Sequence, residues 1–95
     1  MLVNAVLYTF PDDRADEVEA LFRELATATR TEPGCISYEV ARGADGERGT
    51  FVLFEKWRDQ AALDEHFATE HFQRLGTNGV RLLMTSRRGI LASLI

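Results

Sequence analysis

A ferredoxin-like α+β sandwich is the fold that this sequence predicts, on three observations. Strand-like and helix-like apolar patterns follow one another in the order βαββαβ. The connection richest in glycine falls between the second and third strands, where a hairpin turn is needed. The chain has 95 residues, enough for one domain spanning residues 1–95 and too few for two.

The first strand is expected at residues 2–10 (LVNAVLYTF), closed by Pro11. Asp12 or Asp13 then offers an N-cap, and Asp16 and Glu17 put acid at the positive end of the helix dipole. Val18, Leu21, Phe22, Leu25 and Ala26 recur at spacings of three and four, which makes an amphipathic helix. Glu32-Pro33-Gly34 ends it, because proline has no N–H and disfavours helical backbone in the residue before it. Residues 35–41 (CISYEVA) form the second strand, Gly43, Asp45, Gly46 and Gly49 the turn, and residues 50–57 (TFVLFEKW) the third. Asp59 caps a helix carrying Ala62, Leu63, His66 and Phe67. Thr69 offers the cap of a further helix with Phe72 and Leu75, which Gly76 and Gly79 weaken. Residues 90–95 make the last strand.

Two of these strands are apolar on both faces. Phe51 and Leu53 point one way and Val52 and Phe54 the other; Ile90 and Leu94 oppose Leu91 and Ile95. Such strands belong to a sheet covered on both sides. Two right-handed crossovers place their helices on a single side, so the other requires a second cover. The expected cover is the same sheet of another copy, giving a homodimer.

Composition narrows the function classes. A net charge of -4 argues against nucleic acid, and Arg81, Arg87 and Arg88 make only a small basic patch. No apolar run reaches the roughly 18 residues of a membrane span. The apolar amino terminus is interrupted by Asn4 and lacks a preceding positive segment, so it is a poor signal peptide. A lone Cys35, read as a small buried thiol, fits a reducing cytoplasm.

The only two histidines stand in EHFATEHF at residues 65–72. On a continuous helix a separation of five sets His66 and His71 about 140° apart. Zinc proteases use four, so the spacing is wrong for that site; a break at Thr69 would bring the rings together, but a third ligand is still required. Glu65 and Glu70 are the nearest carboxylates and are expected to face solvent, so no metal is expected. His66 lies on or beside the inward stripe, either as a core residue bonded to backbone or as a base lining a cavity. His71 falls in a first helical turn, where the dipole disfavours its charged form, and reads as a neutral hydrogen-bonding residue. Trp57 is a lid on the core or a stacking surface for a flat ligand. Asn4 points its amide into an apolar face, and Tyr38 its hydroxyl; each is satisfied structurally or directed at a ligand. All converge on the space between the strands and the helix at residues 60–67.

EPGCISYEV (residues 32–40) followed by FEKWRDQAALDEHFATEHF (residues 54–72) resembles the antibiotic biosynthesis monooxygenase domain. Its most specific part is an aromatic strand end, then Ala-Leu, then His-x4-His: here Trp57, Ala62-Leu63, His66 and His71. The resemblance implies a dimeric ferredoxin-like α/β barrel. It also implies one of several chemistries: oxygenation of quinols or anthrones with O2 and no cofactor, haem opening, or isomerisation of a phosphorylated sugar derivative. The haem branch has its iron-ligating histidine at the position of Gly76, which speaks against haem. Anthrone oxygenases have an asparagine where this chain has Leu53, and isomerases a tyrosine where it has Trp57. The resemblance therefore implies a cofactor-free oxygenase acting on a small electron-rich aromatic. His66 would be the catalytic base, Trp57 the stacking wall, Asn4 and Tyr38 the orienting donors, and His71 secondary. The alternatives are an isomerase with Arg87 or Arg88 near a phosphate, and a non-catalytic barrel binding a hydrophobic metabolite. A closed apolar pocket favours the oxygenase, one basic at its mouth the isomerase, and one filled by side chains a structural role.

Overall fold

Alternation along the strands decides which side of the sheet is dry. In the computed structural model, which covers residues 1–95, strands β1 (Leu2–Thr9), β2 (Cys35–Arg42), β3 (Thr50–Trp57) and β4 (Ser86–Ser93) pair antiparallel in the order β2-β3-β1-β4. Residues paired across an antiparallel ladder share a face. Tyr38 therefore stands beside Glu55, and Glu55 beside Asn4. Four residues along, Phe51 stands beside Tyr8, and Tyr8 beside Arg87.

Helix α1 (Ala15–Thr29) covers that face with Val18, Phe22, Leu25 and Ala26, all buried. Phe22 meets Phe51 and Tyr8 with ring centroids 5.6 and 5.8 Å apart, tilted as aromatic pairs prefer. Helix α2 (Gln60–Ala68) buries Ala62, Leu63 and His66 at the opposite end. This is the expected ferredoxin-like α+β sandwich.

Four local expectations need correction. Neither Asp12 nor Asp13 caps α1, since residues Asp12–Arg14 form a separate 3-10 turn and Arg14 precedes the helix without a side-chain cap. β1 ends at Thr9 rather than at residue 10. β4 starts at Ser86, four residues early, and Leu94 and Ile95 lie beyond it; pairing with β1 extends it through the polar Ser86–Arg88. After Thr69 the chain runs as a π-helix, Phe72–Val80, and then as a single turn, α3 (Arg81–Leu83). The wider coil accommodates Gly76 and Gly79, which weaken an ordinary α-helix.

Two expected caps hold. Asp59 accepts the Ala62 N–H at 2.9 Å, and Thr69 Oγ1 accepts the Phe72 N–H at 3.2 Å. Opposite the helices the sheet is uncovered within one chain: Leu7, Val52, Phe54 and Ile90 are 46, 45, 39 and 52% exposed.

The turn before β2 sits hard against α2. A Cβ on Gly34 would collide with the Ala62 Cβ. Gly34→Ala should therefore destabilise the fold by roughly 1–3 kcal/mol, the usual cost of overpacking. Urea unfolding measures it, and an unchanged midpoint would show that the contact is slack.

Candidate active site

The Thr69 backbone is extended (φ -69°, ψ 154°) and breaks the helix between the two histidines. Their rings come within 6.1 Å of each other, centroid to centroid. The third group is Glu32, in the turn before β2. Its Oε2 lies 2.7 Å from His66 Nδ1 and 2.7 Å from His71 Nε2. Such lengths are those of charge-assisted hydrogen bonds. An ionised carboxylate only accepts, so both facing ring nitrogens carry protons. His66 is thereby held as the Nδ1–H tautomer, with Nε2 left as its basic atom.

These three residues also supply the third ligand that spacing could not find, with all three ligand atoms within 4.8 Å of one another. It comes from Glu32 rather than Glu65 or Glu70. The two 2.7 Å contacts have the length of hydrogen bonds, and the same three atoms form a group that could hold a metal ion. Of the two alternatives for His66, the structure combines parts of both: it is buried in the core, bonded to a side chain rather than to backbone, and it lines a cavity.

Burial is the main influence on the His66 ring, lowering its pKa below the ordinary 6.5; the Glu32 bond and charge oppose this in part, and His71 adds to it. Neutral imidazole is the resting form near pH 7. Trp57 packs on it with centroids 4.7 Å apart and planes 39° apart.

The second carboxylate is Glu55, 2% exposed in the middle of β3. It accepts from Asn4 Nδ2 and from Trp57 Nε1, each at 2.9 Å. Burial pushes its pKa up to about 7, while these two bonds and the nearby charge of Arg87 pull the other way. Asn4 is thus satisfied by Glu55, and Trp57 is a fully buried buttress between Glu55 and His66. Tyr38 is 2% exposed and its hydroxyl titrates well above 10, chiefly through burial.

Asn4, Tyr38, Glu55 and His66 line one cavity of about 20 Å³, closed by Phe67 and Phe72. Trp57 and His71 stand behind its wall, and Trp57 is therefore not the expected stacking surface. The volume admits about one water. A wider groove of about 520 Å³ runs between α1 and β2, but it contains no histidine and its Arg42 is already paired with Glu19. Chemistry and size point to different places, and the groups able to move protons are in the small cavity.

Sequence reasoning missed Glu32 and Glu55. Glu55 was legible, since Phe51, Leu53, Glu55 and Trp57 share one face of β3. Glu32 had no local signal, because its partners lie 34 and 39 residues away.

This sandwich fold is shared by a known class. The Antibiotic biosynthesis monooxygenase family model matches residues 1–77, and the chain belongs to that family. It is 34% identical over 83 residues to YcnE of Bacillus subtilis, spanning 87% of this chain and 85% of YcnE. It is 45% identical over 62 residues to Rv0793 of Mycobacterium tuberculosis, or 65% of this chain. Both relatives are named as proposed monooxygenases. The matched stretch spans 58% of Rv0793 and 40% of sll1783, an uncharacterised Synechocystis protein. A solved structure described as an antibiotic biosynthesis monooxygenase superposes with a TM-score of 0.90, at 34% identity over 100% of this chain and 99% of that one. No helix is long and apolar enough to cross a membrane.

Glu55 makes stability depend on pH in a defined direction. Its folded pKa is raised from 4.5 to about 7, so its stabilisation is full below pH 4.5 and lost as pH rises through about 7. Glu55→Gln cannot titrate. Between pH 4.5 and 8 the variant should gain on wild type by up to about 3 kcal/mol, each pKa unit being worth about 1.4. A difference in urea midpoints that stays constant with pH would show Glu55 to be ionised throughout.

Proposed function

We propose that this chain is a cofactor-independent monooxygenase that oxidises a small, electron-rich quinol or anthrone with O2. The observation that carries the reading is His66: neutral, held as one tautomer by Glu32, and lining a cavity. Membership of the monooxygenase family supports it. In this reading Nε2 takes the proton of the substrate's hydroxyl, or of an anthrone's methylene. The resulting anion passes an electron to O2, and the two radicals combine at the ring carbon. One oxygen atom stays as the carbonyl; the other leaves as water with the two hydrogens lost by the substrate. Asn4 and Trp57 hold Glu55, and Tyr38 offers a hydroxyl to the developing oxyanion.

A substrate ring is larger than the cavity, so Phe67, Phe72 and the π-helix must move outward to admit it. Helices with i→i+5 bonding are uncommon and recur at functional sites. The aromatic walls Phe67 and Phe72 favour a second reading, a barrel that binds a hydrophobic metabolite without turning it over. Oxygen uptake by metal-free protein across quinols, naphthols and anthrones separates the two. Binding without uptake would establish the second.

We also infer a homodimer formed through the uncovered sheet face, with no nucleic acid or membrane partner, acting in the cytoplasm. The exposed Leu7, Val52, Phe54 and Ile90 support this assembly.

Two outcomes test these readings. His66→Ala should stay folded by circular dichroism and lose roughly a hundredfold in turnover, the usual contribution of a positioned base. The wild-type rate should rise with pH through an ionisation below 6.5, because burial lowers the His66 pKa, and the variant should lose that limb. An unfolded variant would make His66 a packing residue, and normal turnover would place the base elsewhere. Separately, light scattering should give twice the 10.7 kDa of one chain, and Phe54→Asp should yield a monomer, since a charge buried in an apolar interface is costly. A wild-type monomer at micromolar concentration would remove the dimer.

A further inference from the structure

Five of this chain's ten arginines have acidic partners. Arg14, Arg23, Arg42, Arg58 and Arg74 each lie within 4.0 Å of a carboxylate oxygen. Arg30 forks onto the Tyr38 carbonyl at 3.0 and 2.7 Å. The two arginines that line the His66 cavity, Arg81 and Arg87, pair with no acid at all. Arg81 Nε is buried without a hydrogen-bond partner, and its guanidinium lies 5.3 Å over the Phe72 ring. Arg87 reaches only the Tyr8 hydroxyl, at a long 3.4 Å, and lies 5.8 Å from that ring's centroid. Arg88, one residue on, falls on the opposite sheet face beside Leu7. A buried guanidinium donor with no acceptor costs free energy that a bound acceptor recovers. The single acid lining the cavity, Glu55, already accepts from Asn4 and Trp57.

We propose that the molecule taken by this cavity is a hydroxylated aromatic that also carries a carboxylate, received by Arg81 and Arg87 while its hydroxyl meets His66. A ring carboxylate is flat and matches the planar guanidinium fork bidentately. Phe67 and Phe72 give the cavity aromatic walls suited to a conjugated acid rather than to a tetrahedral phosphate. The inference rests on the cavity being the substrate site, as the monooxygenase reading requires, and it names the substrate's charge.

Trp57 is the chain's only tryptophan and bonds directly to Glu55, so its fluorescence reports occupancy without turnover. The test is an anaerobic titration with a para-dihydroxynaphthoate, the corresponding dihydroxynaphthalene and naphthyl phosphate. The naphthoate should bind about tenfold or more tightly than the uncharged diol, the scale of one charge-assisted hydrogen bond. R81Q and R87Q should each remove most of that preference while leaving affinity for the diol, and R88Q should keep it. Equal affinities for acid and diol, no saturable quenching by the acid, tighter binding of naphthyl phosphate, or a preference that survives both substitutions would overturn the proposal. If a glutamine variant fails to fold, the wild-type comparison decides. Oxygen uptake is read separately: a charge preference without uptake removes the monooxygenase reading alone, and uptake without it removes only this proposal.

Discussion

A single carboxylate oxygen organises this molecule's site. Glu32 Oε2 accepts from His66 and His71 at once, tying the turn before β2 to the end of α2 and to the start of the π-helix. Three segments far apart in sequence are thus joined by two short bonds. The tautomer of His66 follows from the same contact, and with it the atom that can act as a base. Gly34 lets the turn approach α2 closely enough for this contact to form.

Two carboxylates in one small region have different surroundings. Glu32 meets two imidazoles. Glu55 is enclosed by the sheet and meets a neutral amide and an indole, so burial dominates and its proton is held to about pH 7. Trp57 links the two, bonding Glu55 with its N–H and packing its ring on His66. Its total burial is that of a buttress.

The two faces of the sheet divide the roles of the chain. The face under the helices carries the cavity's strand-borne polar groups, Asn4, Tyr8, Tyr38, Glu55 and Arg87, each placed by ladder register beside its neighbour, while His66 and Arg81 come from the helices. The other is bare within one chain, and carries Leu7, Val52, Phe54 and Ile90 together with Glu39, Lys56 and Arg88. A two-residue step along a strand preserves this division, whereas a one-residue slip would exchange the faces. The side on which Arg87 and Arg88 each fall follows from the same rule.

The βαββαβ order, the strand cores, the Asp59 and Thr69 caps and the doubly apolar β3 were legible in the sequence. All are local periodicities or turn chemistries, which a linear pattern records. Glu55 was legible in the same way, through its place between Leu53 and Trp57. The extension of β4 through Ser86–Arg88 was not, because pairing with β1 supplies there what propensity does not. Nor was Glu32, whose importance lies in contacts across 34 and 39 residues. Sequence alone determined which residues face inward; the tertiary structure decided which inward groups share a proton, since hydrogen bonds depend on distances in space that no spacing along a chain encodes.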